Sequence, residues 1–352
     1  MLRRSLVWVL GIAVLAHAAL AQEQLEQLNQ QLADLYRSGK YAEGAPVAYE
    51  ALRLTEQFYG PQHANVAESL NNLAEMYRMM GRFEEAKPYY DRALAITEAS
   101  SEPENILAAA LYNNVGEMHR LQGDYEQAEP LYRKAIDIRE KLLGFEHADL
   151  AQSLNNLALL KAAQGKPAEA EPLYERALAI YRKAGGEEHP LVAATMSNLA
   201  ELYRSQQKYA LARPLYEKAL AIAEKTIGAE SPTVVMNLNN QALLHMAENR
   251  PRDAERLLQR ALNIQEKAYG RDTASSFTTL VNLATLYQNQ GRDKDSEPLW
   301  RRVVTIGEKA YGANHAALAV PLARLAEASR KLGKAEEAAQ LEQRAKQLTA
   351  RP

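Results

Sequence analysis

The sequence predicts an all-α solenoid of paired helices. Three observations carry that prediction: a 42-residue period, helical spacing of the apolar residues within each period, and glycine where each helix pair must turn.

The turn sets the register. Met80-Gly81-Arg82-Phe83-Glu84-Glu85-Ala86 gives its pattern, and the glycine recurs at Gly39, Gly123, Gly165, Gly291 and Gly333. Gln207 and Asn249 fill the two remaining slots, and every step is 42 residues without insertion or deletion. The period implies eight units, at about 22–62, 63–104, 105–146, 147–188, 189–230, 231–272, 273–314 and 315–352.

Each unit reads as helix A, turn, helix B. Leu150, Leu154, Leu157, Ala158 and Leu160 follow an i, i+3, i+4, i+7 rhythm before one turn, and Ala170, Leu173, Tyr174, Ala177 and Leu178 do so after it. Small residues hold fixed columns, such as Ala74, Gly116, Ala158, Ala200, Ala242, Ala284 and Ala326. They let helices approach closely, and enlarging one should cost about 1–3 kcal/mol. Gly60, Gly144, Gly186, Gly228, Gly270 and Gly312 end helix B, where a left-handed cap is expected. Asn105, Ser231 and Thr273 then stand as N-caps of the next helix A. In the last unit Arg324, Ser329, Glu342 and Lys346 replace the usual residues, which suits a solvent-facing end.

The phrases Ser69-Leu70-Asn71-Asn72-Leu73-Ala74 and Glu129-Pro130-Leu131-Tyr132-Arg133-Lys134-Ala135, repeated at this spacing, resemble the tetratricopeptide repeat family, in its kinesin-light-chain-like 42-residue subtype. The resemblance covers nearly all of the chain beyond residue 21. It implies a right-handed superhelical solenoid whose A helices line a concave groove that holds other proteins.

Composition narrows the function. The 352 residues are 47% hydrophobic and 24% charged with net charge −2, which excludes a disordered chain and argues against a duplex nucleic-acid partner. With no cysteine, disulfides, thiolate metal sites and cysteine nucleophiles are excluded. Arg3 and Arg4, an apolar run from Leu6 to Leu15, and Ala19-Leu20-Ala21 read as a cleaved export signal over residues 1–21. The mature chain is therefore expected to be periplasmic or secreted, with no membrane span.

No residue set asks for catalysis. His63, His147, His189 and His315 share one repeat column and His119 and His245 another, so their positions follow the fold. Metal-binding histidine pairs, a nucleophile elbow and a phosphate loop are all missing, so neither cofactor nor metal is expected. Tyr90, Tyr132, Tyr174 and Tyr216 read as core, and Glu75–Arg78, Glu117–Arg120 and Glu201–Arg204 as surface i, i+3 pairs worth about 0.2–0.5 kcal/mol each.

One column asks for a function. Asn72, Asn114, Asn156, Asn198, Asn240 and Asn282 recur mid-helix A, with Asn71, Asn113, Asn155 and Asn239 preceding four of them. Asparagine is a middling helix former, so its persistence needs a reason. An inter-repeat hydrogen-bond ladder is one; amides gripping a bound peptide backbone are the other. The family resemblance favours peptide contact. Arg120, Arg204, Leu159 and Leu243 lie beside the column, giving a groove of mixed charge with apolar patches. The expected function is a non-enzymatic scaffold that binds extended or helical peptide segments of partner proteins. The alternative is a structural subunit of an envelope assembly that uses its convex or terminal surfaces.

Overall fold

The computed structural model describes residues 22–349, and the expected export signal lies outside them. All regular structure among the described residues is helical. The chain divides into two compact units, Met1–Ile180 and Tyr181–Pro352.

The first unit holds α1 (22–37), α2 (Tyr41–Tyr59), α3 (Ala64–Met79), α4 (Phe83–Glu98), α5 (Ile106–Gln122), α6 (Tyr125–Leu143), α7 (Ala148–Ala163) and most of α8 (Pro167–Gly185). The second holds α9 (Pro190–Ser205), α10 (Tyr209–Ile227), α11 (Pro232–Ala247), α12 (Pro251–Tyr269), α13 (Phe277–Asn289), α14 (Asp293–Tyr311), α15 (Ala319–Lys331) and α16 (Ala335–Thr349). Odd-numbered elements are the A helices. The α4 helix has 16 residues against 19 in α6, because the linker after it carries Pro103 and no glycine.

Both turn types use positive φ, but only one is the left-handed cap. At the end of α3, Gly81 takes φ +72°, and its N–H and that of Arg82 donate to the Arg78 and Tyr77 carbonyls, each at 2.9 Å. That is the Schellman arrangement, placed between helix A and helix B. Gln207 and Asn249 adopt the same backbone at φ +60° and +56°. The glycines ending helix B differ from the expectation: Gly60 has φ +85° with ψ +157°, and Gly312 +88° with +153°. This extended region belongs almost only to glycine, and it sends the chain outward to begin the next helix A.

Histidine caps those helices. Nδ1 of His63 and His147 accepts the N–H of Asn65 and Asp149 at 3.2 Å, and His189 and His315 do the same for Leu191 and Ala317 in the second unit. Asn105 caps α5 as expected, through the Ala108 N–H at 2.9 Å. Thr273 does not: its hydroxyl pairs with Ser275 Oγ at 2.7 Å, and the chain enters α13 through a 3-10 turn, Ala274–Ser276.

The cores follow the apolar columns. In the first unit Leu70, Leu111, Leu150 and Leu154 are buried with Tyr90, Tyr132 and Tyr174 between paired helices; Met196, Tyr216, Leu258 and Trp300 do this in the second. Each such side chain contributes about 1.5–3 kcal/mol. The small column is explained at Gly116, where an added Cβ would meet the Tyr132 ring at 3.2 Å. Ser329 departs from the solvent-facing reading: it is fully buried, and its hydroxyl has no hydrogen-bond partner.

The B helices carry a ladder that the sequence announces by a cation at 92, 134, 176, 218, 260, 302 and 344. In the first unit Arg92 pairs with Glu56 at 2.5 Å and Arg176 with Glu140 at 2.7 Å, while Lys134 sits over the Tyr112 ring. In the second, Arg260 pairs with Glu224, Arg302 with Glu266 and Arg344 with Glu308 at 2.5–2.6 Å. Each of these ion pairs ties one helix B to the one before. Such partly exposed pairs are worth about 0.2–1 kcal/mol.

Candidate functional site

The A helices of the first unit gather a cavity of about 610 Å³. Asn29, Leu32, Tyr36 and Arg37 come from α1, Glu68, Asn72 and Glu75 from α3, Ala110 and Asn114 from α5, and Gln152 from α7. Side chains three and four apart share a helix face, which is why residues 68, 72 and 75 arrive together.

Both readings of the asparagine column find a physical counterpart. Asn114 Nδ2 donates to Asn71 Oδ1 at 3.0 Å and Asn156 Nδ2 to Asn113 Oδ1 at 3.1 Å; in the second unit Asn282 Nδ2 donates to Asn239 Oδ1 at 2.9 Å. Ladder amides thus reach back to the preceding A helix. The residue before the column is the buried partner: Asn113 is 3% exposed and Asn239 6%. Asn239 also donates to Thr279 Oγ1 at 2.9 Å and to the Val235 carbonyl at 3.0 Å. Asn155 is half-buried, with its Nδ2 3.5 Å from Asn156 Oδ1. Asn72, Asn114, Asn156, Asn198, Asn240 and Asn282 are all half-buried, as are Leu159 and Leu243. The column therefore keeps one edge open to solvent.

Glu75–Arg78 and Glu117–Arg120 are not surface pairs, whereas Glu201 of the third keeps 45% of its side chain exposed. Arg78 grips Glu75 through two bonds of 2.5 and 2.7 Å, and both side chains are under 15% exposed. The buried Tyr90 donates its hydroxyl to Glu75 at 2.9 Å, and Tyr36 adds another at 3.2 Å. Burial, with Glu75 beside it, pushes the Tyr36 phenol up to about 12. The cluster recurs as Arg120–Glu117–Tyr132, and in the second unit as Arg204–Glu201–Tyr216, with tyrosine hydroxyls at 2.6 and 2.7 Å. Burial raises the Glu117 and Glu201 carboxyls, but their arginines and tyrosines outweigh it and hold both below the usual carboxylate range. Where the carboxylate is lost the cluster is rebuilt differently each time: Leu159 and Ala162 keep the buried Tyr174, Leu243 and Met246 accompany Leu258, and Gln288 accepts from Trp300 Nε1 at 3.2 Å.

Tyr36 and Arg139 line the same cavity and were not singled out by the sequence pattern. Arg139 occupies a column without a fixed residue type, with Thr97 before it and Tyr181, Ala223 and Gln265 after it, so the repeat gives no signal for it. Its guanidinium donates to the Asp149 carbonyl at 2.6 Å and to Ser153 Oγ at 2.7 Å. Among the described residues no three carboxylates or histidines gather to hold a metal, and no helix is long and apolar enough to cross a membrane.

A tetratricopeptide repeat model matches residues 15–99, 106–183, 149–225, 191–267 and 275–349. The chain belongs to the tetratricopeptide repeat family. BtubC of P. vanneervenii is similar in structure, with 25% identity and a TM-score of 0.52 over 69% of this chain and 92% of that one. A single-substitution variant of a Podosopora anserina protein of nearly identical kinesin-light-chain TPR-like repeats is 26% identical over 60% of this chain and 98% of its own, at a TM-score of 0.51. No curated protein gives a match. Repeats of this family generally serve as non-enzymatic scaffolds for other proteins.

Proposed function

We propose that the chain is an exported array of eight units that holds an extended or helical peptide segment of a partner protein along its A helices. The observation that carries this reading is the first-unit cavity, where Asn72 and Asn114 stand with Asn29 and Gln152 around about 610 Å³. Four side-chain amides offer donors and acceptors together, which is what a peptide backbone needs. Arg78 and Arg120 are neutralised by their own glutamates, so a strongly acidic ligand gains little here. In this reading Asn72, Asn114, Asn156, Asn198, Asn240 and Asn282 touch the peptide, Leu159 and Leu243 supply apolar anchors, and Asn113 and Asn239 hold the ladder in place. Arg120 and Arg204 line the groove as halves of neutral pairs.

The test is capture of partners from cell-envelope extract by the chain lacking residues 1–21, beside an Asn72→Ala, Asn114→Ala variant of equal helical circular dichroism. Loss of a defined partner set in the variant supports the groove. Unchanged partners would move recognition to the outer surface, as expected for a structural subunit of an envelope assembly.

A further inference from the structure

Positions that break the repeat and converge in space mark what the fold does not require. Two such breaks meet in the first unit. Tyr89 on α4 occupies a column that reads Leu131, Leu173, Leu215, Leu257, Leu299 and Leu341 afterwards. Tyr49 on α2 occupies one that reads Asp91, Arg133, Glu175, Glu217, Gln259 and Arg301. Both exceptions are aromatic, and one is placed where the repeat otherwise wants a charged or polar residue.

They face a third tyrosine on the side of the α3–α4 turn. The Tyr77 and Tyr89 rings are parallel to within 4°, with centroids 5.8 Å apart. Tyr77 links the three, since it stacks on Tyr89 and lines one pocket with Tyr49; burial, with these phenols nearby, also raises the Tyr89 phenol. Tyr49 is 55% exposed. Next to the rings lies a pocket of about 320 Å³ lined by Ala42, Ala45, Pro46, Tyr49, Tyr77 and Met80, closed by Arg82. None of the groove asparagines belongs to it.

The chemistry of the lining selects an occupant. Arg82, itself paired with Glu85, holds its guanidinium 4.9 Å from the Tyr77 centroid, so the cation–π position on that ring is already filled. Among the described residues the three phenols make no hydrogen bond to the protein, and no carboxylate or amide lines the pocket. The surface offers flat apolar faces and hydroxyl donors. A polyproline II segment offers the complement, with pyrrolidine rings to lie on the faces, unpaired backbone carbonyls to accept, and no N–H left to satisfy.

We propose that the Tyr49–Tyr77–Tyr89 pocket is a second binding site, separate from the groove, for a proline-rich segment in polyproline II conformation. The repeat supplies its own controls, since Tyr89→Leu and Tyr49→Glu install residues that the fold carries at those columns elsewhere. Fluorescence anisotropy with a labelled peptide of about eight prolines, the length of two to three polyproline turns, reads the binding directly. Saturable binding to the parent chain is expected, weakened at least about tenfold (about 1.4 kcal/mol) in the double variant, whose unfolding midpoint stays near the parent's. The Asn72→Ala, Asn114→Ala variant should bind this peptide as the parent does. Binding no tighter than that of a Gly-Ser peptide of equal length would overturn the proposal. Retention of affinity in the double variant would overturn it as well, and loss only in the asparagine variant would assign proline binding to the groove.

Discussion

Asn156 donates its side-chain amide to Asn113 on the preceding A helix at 3.1 Å, and Asn113 answers from a site only 3% exposed. The two residues occupy neighbouring columns but have separable roles. Asn113 Oδ1 also accepts from Ser153 Oγ at 3.2 Å, so Asn113→Ala strands two donors. That substitution should cost about 1–3 kcal/mol. Asn156→Ala removes a half-buried amide and should cost about 0.5–1.5 kcal/mol, while weakening peptide binding more than Asn113→Ala does at equal fraction folded. Urea unfolding beside partner capture checks both halves. Equal loss of binding in the two variants would make the whole ladder structural.

The turn column isolates a second effect. Gln207 holds φ +60° where six other units place glycine, and Gly81 at the equivalent point has open space around its missing Cβ. Relief of left-handed strain is worth about 1–2 kcal/mol, and glycine's extra unfolded-state entropy takes back up to about 1 kcal/mol. Gln207→Gly should therefore stabilise the second unit by about 0.5–1 kcal/mol, seen as a raised urea midpoint. A lowered midpoint would mean that the Gln207 side chain makes a contact worth more than the strain.

These cases show what the sequence could and could not disclose. The 42-residue step located Gly81, Gln207 and every helix pair, because a turn in register needs nothing beyond its own chain. Glycine at Gly60 was visible too, but glycine enters the left-handed and the extended positive-φ regions alike, so its exit direction was not. The Glu75–Arg78 pair was legible as an i, i+3 spacing, whereas Tyr90 reaches it from fifteen residues away across a helix interface. Period counting finds neighbours on one helix and is silent about the next. The Asn71–Asn72 doublet was equally plain, but which member is buried depends on helix rotation, since consecutive side chains diverge by about 100°. Histidine as an N-cap was missed because only its lone pair, not its usual preferences, fits it for Asn65 or Asp149.

Ser329 offers the reverse of a stabilising contact. Its hydroxyl is fully buried without a partner, in a column that elsewhere holds Tyr77, His119, Lys161 and Tyr287. An unsatisfied buried hydroxyl costs about 1–3 kcal/mol, and alanine removes it while keeping nearly the same volume. Ser329→Ala should raise the stability of the second unit by about 1 kcal/mol. Differential scanning calorimetry would register the change, and a destabilised variant would point to a water bridging Ser329 to the backbone.

The Glu–Arg–Tyr clusters make the array sensitive to acid in a defined direction. Glu117 and Glu201 have folded-state pKa values held down by Arg120 with Tyr132 and by Arg204 with Tyr216, against an unfolded value of about 4.3. A depressed carboxylate contributes its stability in full above the unfolded pKa and loses it as pH falls through the folded one. Urea midpoints should thus be flat from pH 7 to about 5 and decline below about 4.3. Tyr132→Phe removes one hydrogen bond to a charged group, should cost about 1.5–3 kcal/mol at pH 7 and should flatten the acid decline, because Glu117 then titrates nearer its unfolded value. Glu117→Gln should flatten it further. If the decline is as steep in both variants as in the parent, the acid sensitivity arises from carboxylates outside these clusters, with Glu129 and Glu297, also held low by their cations, next in order.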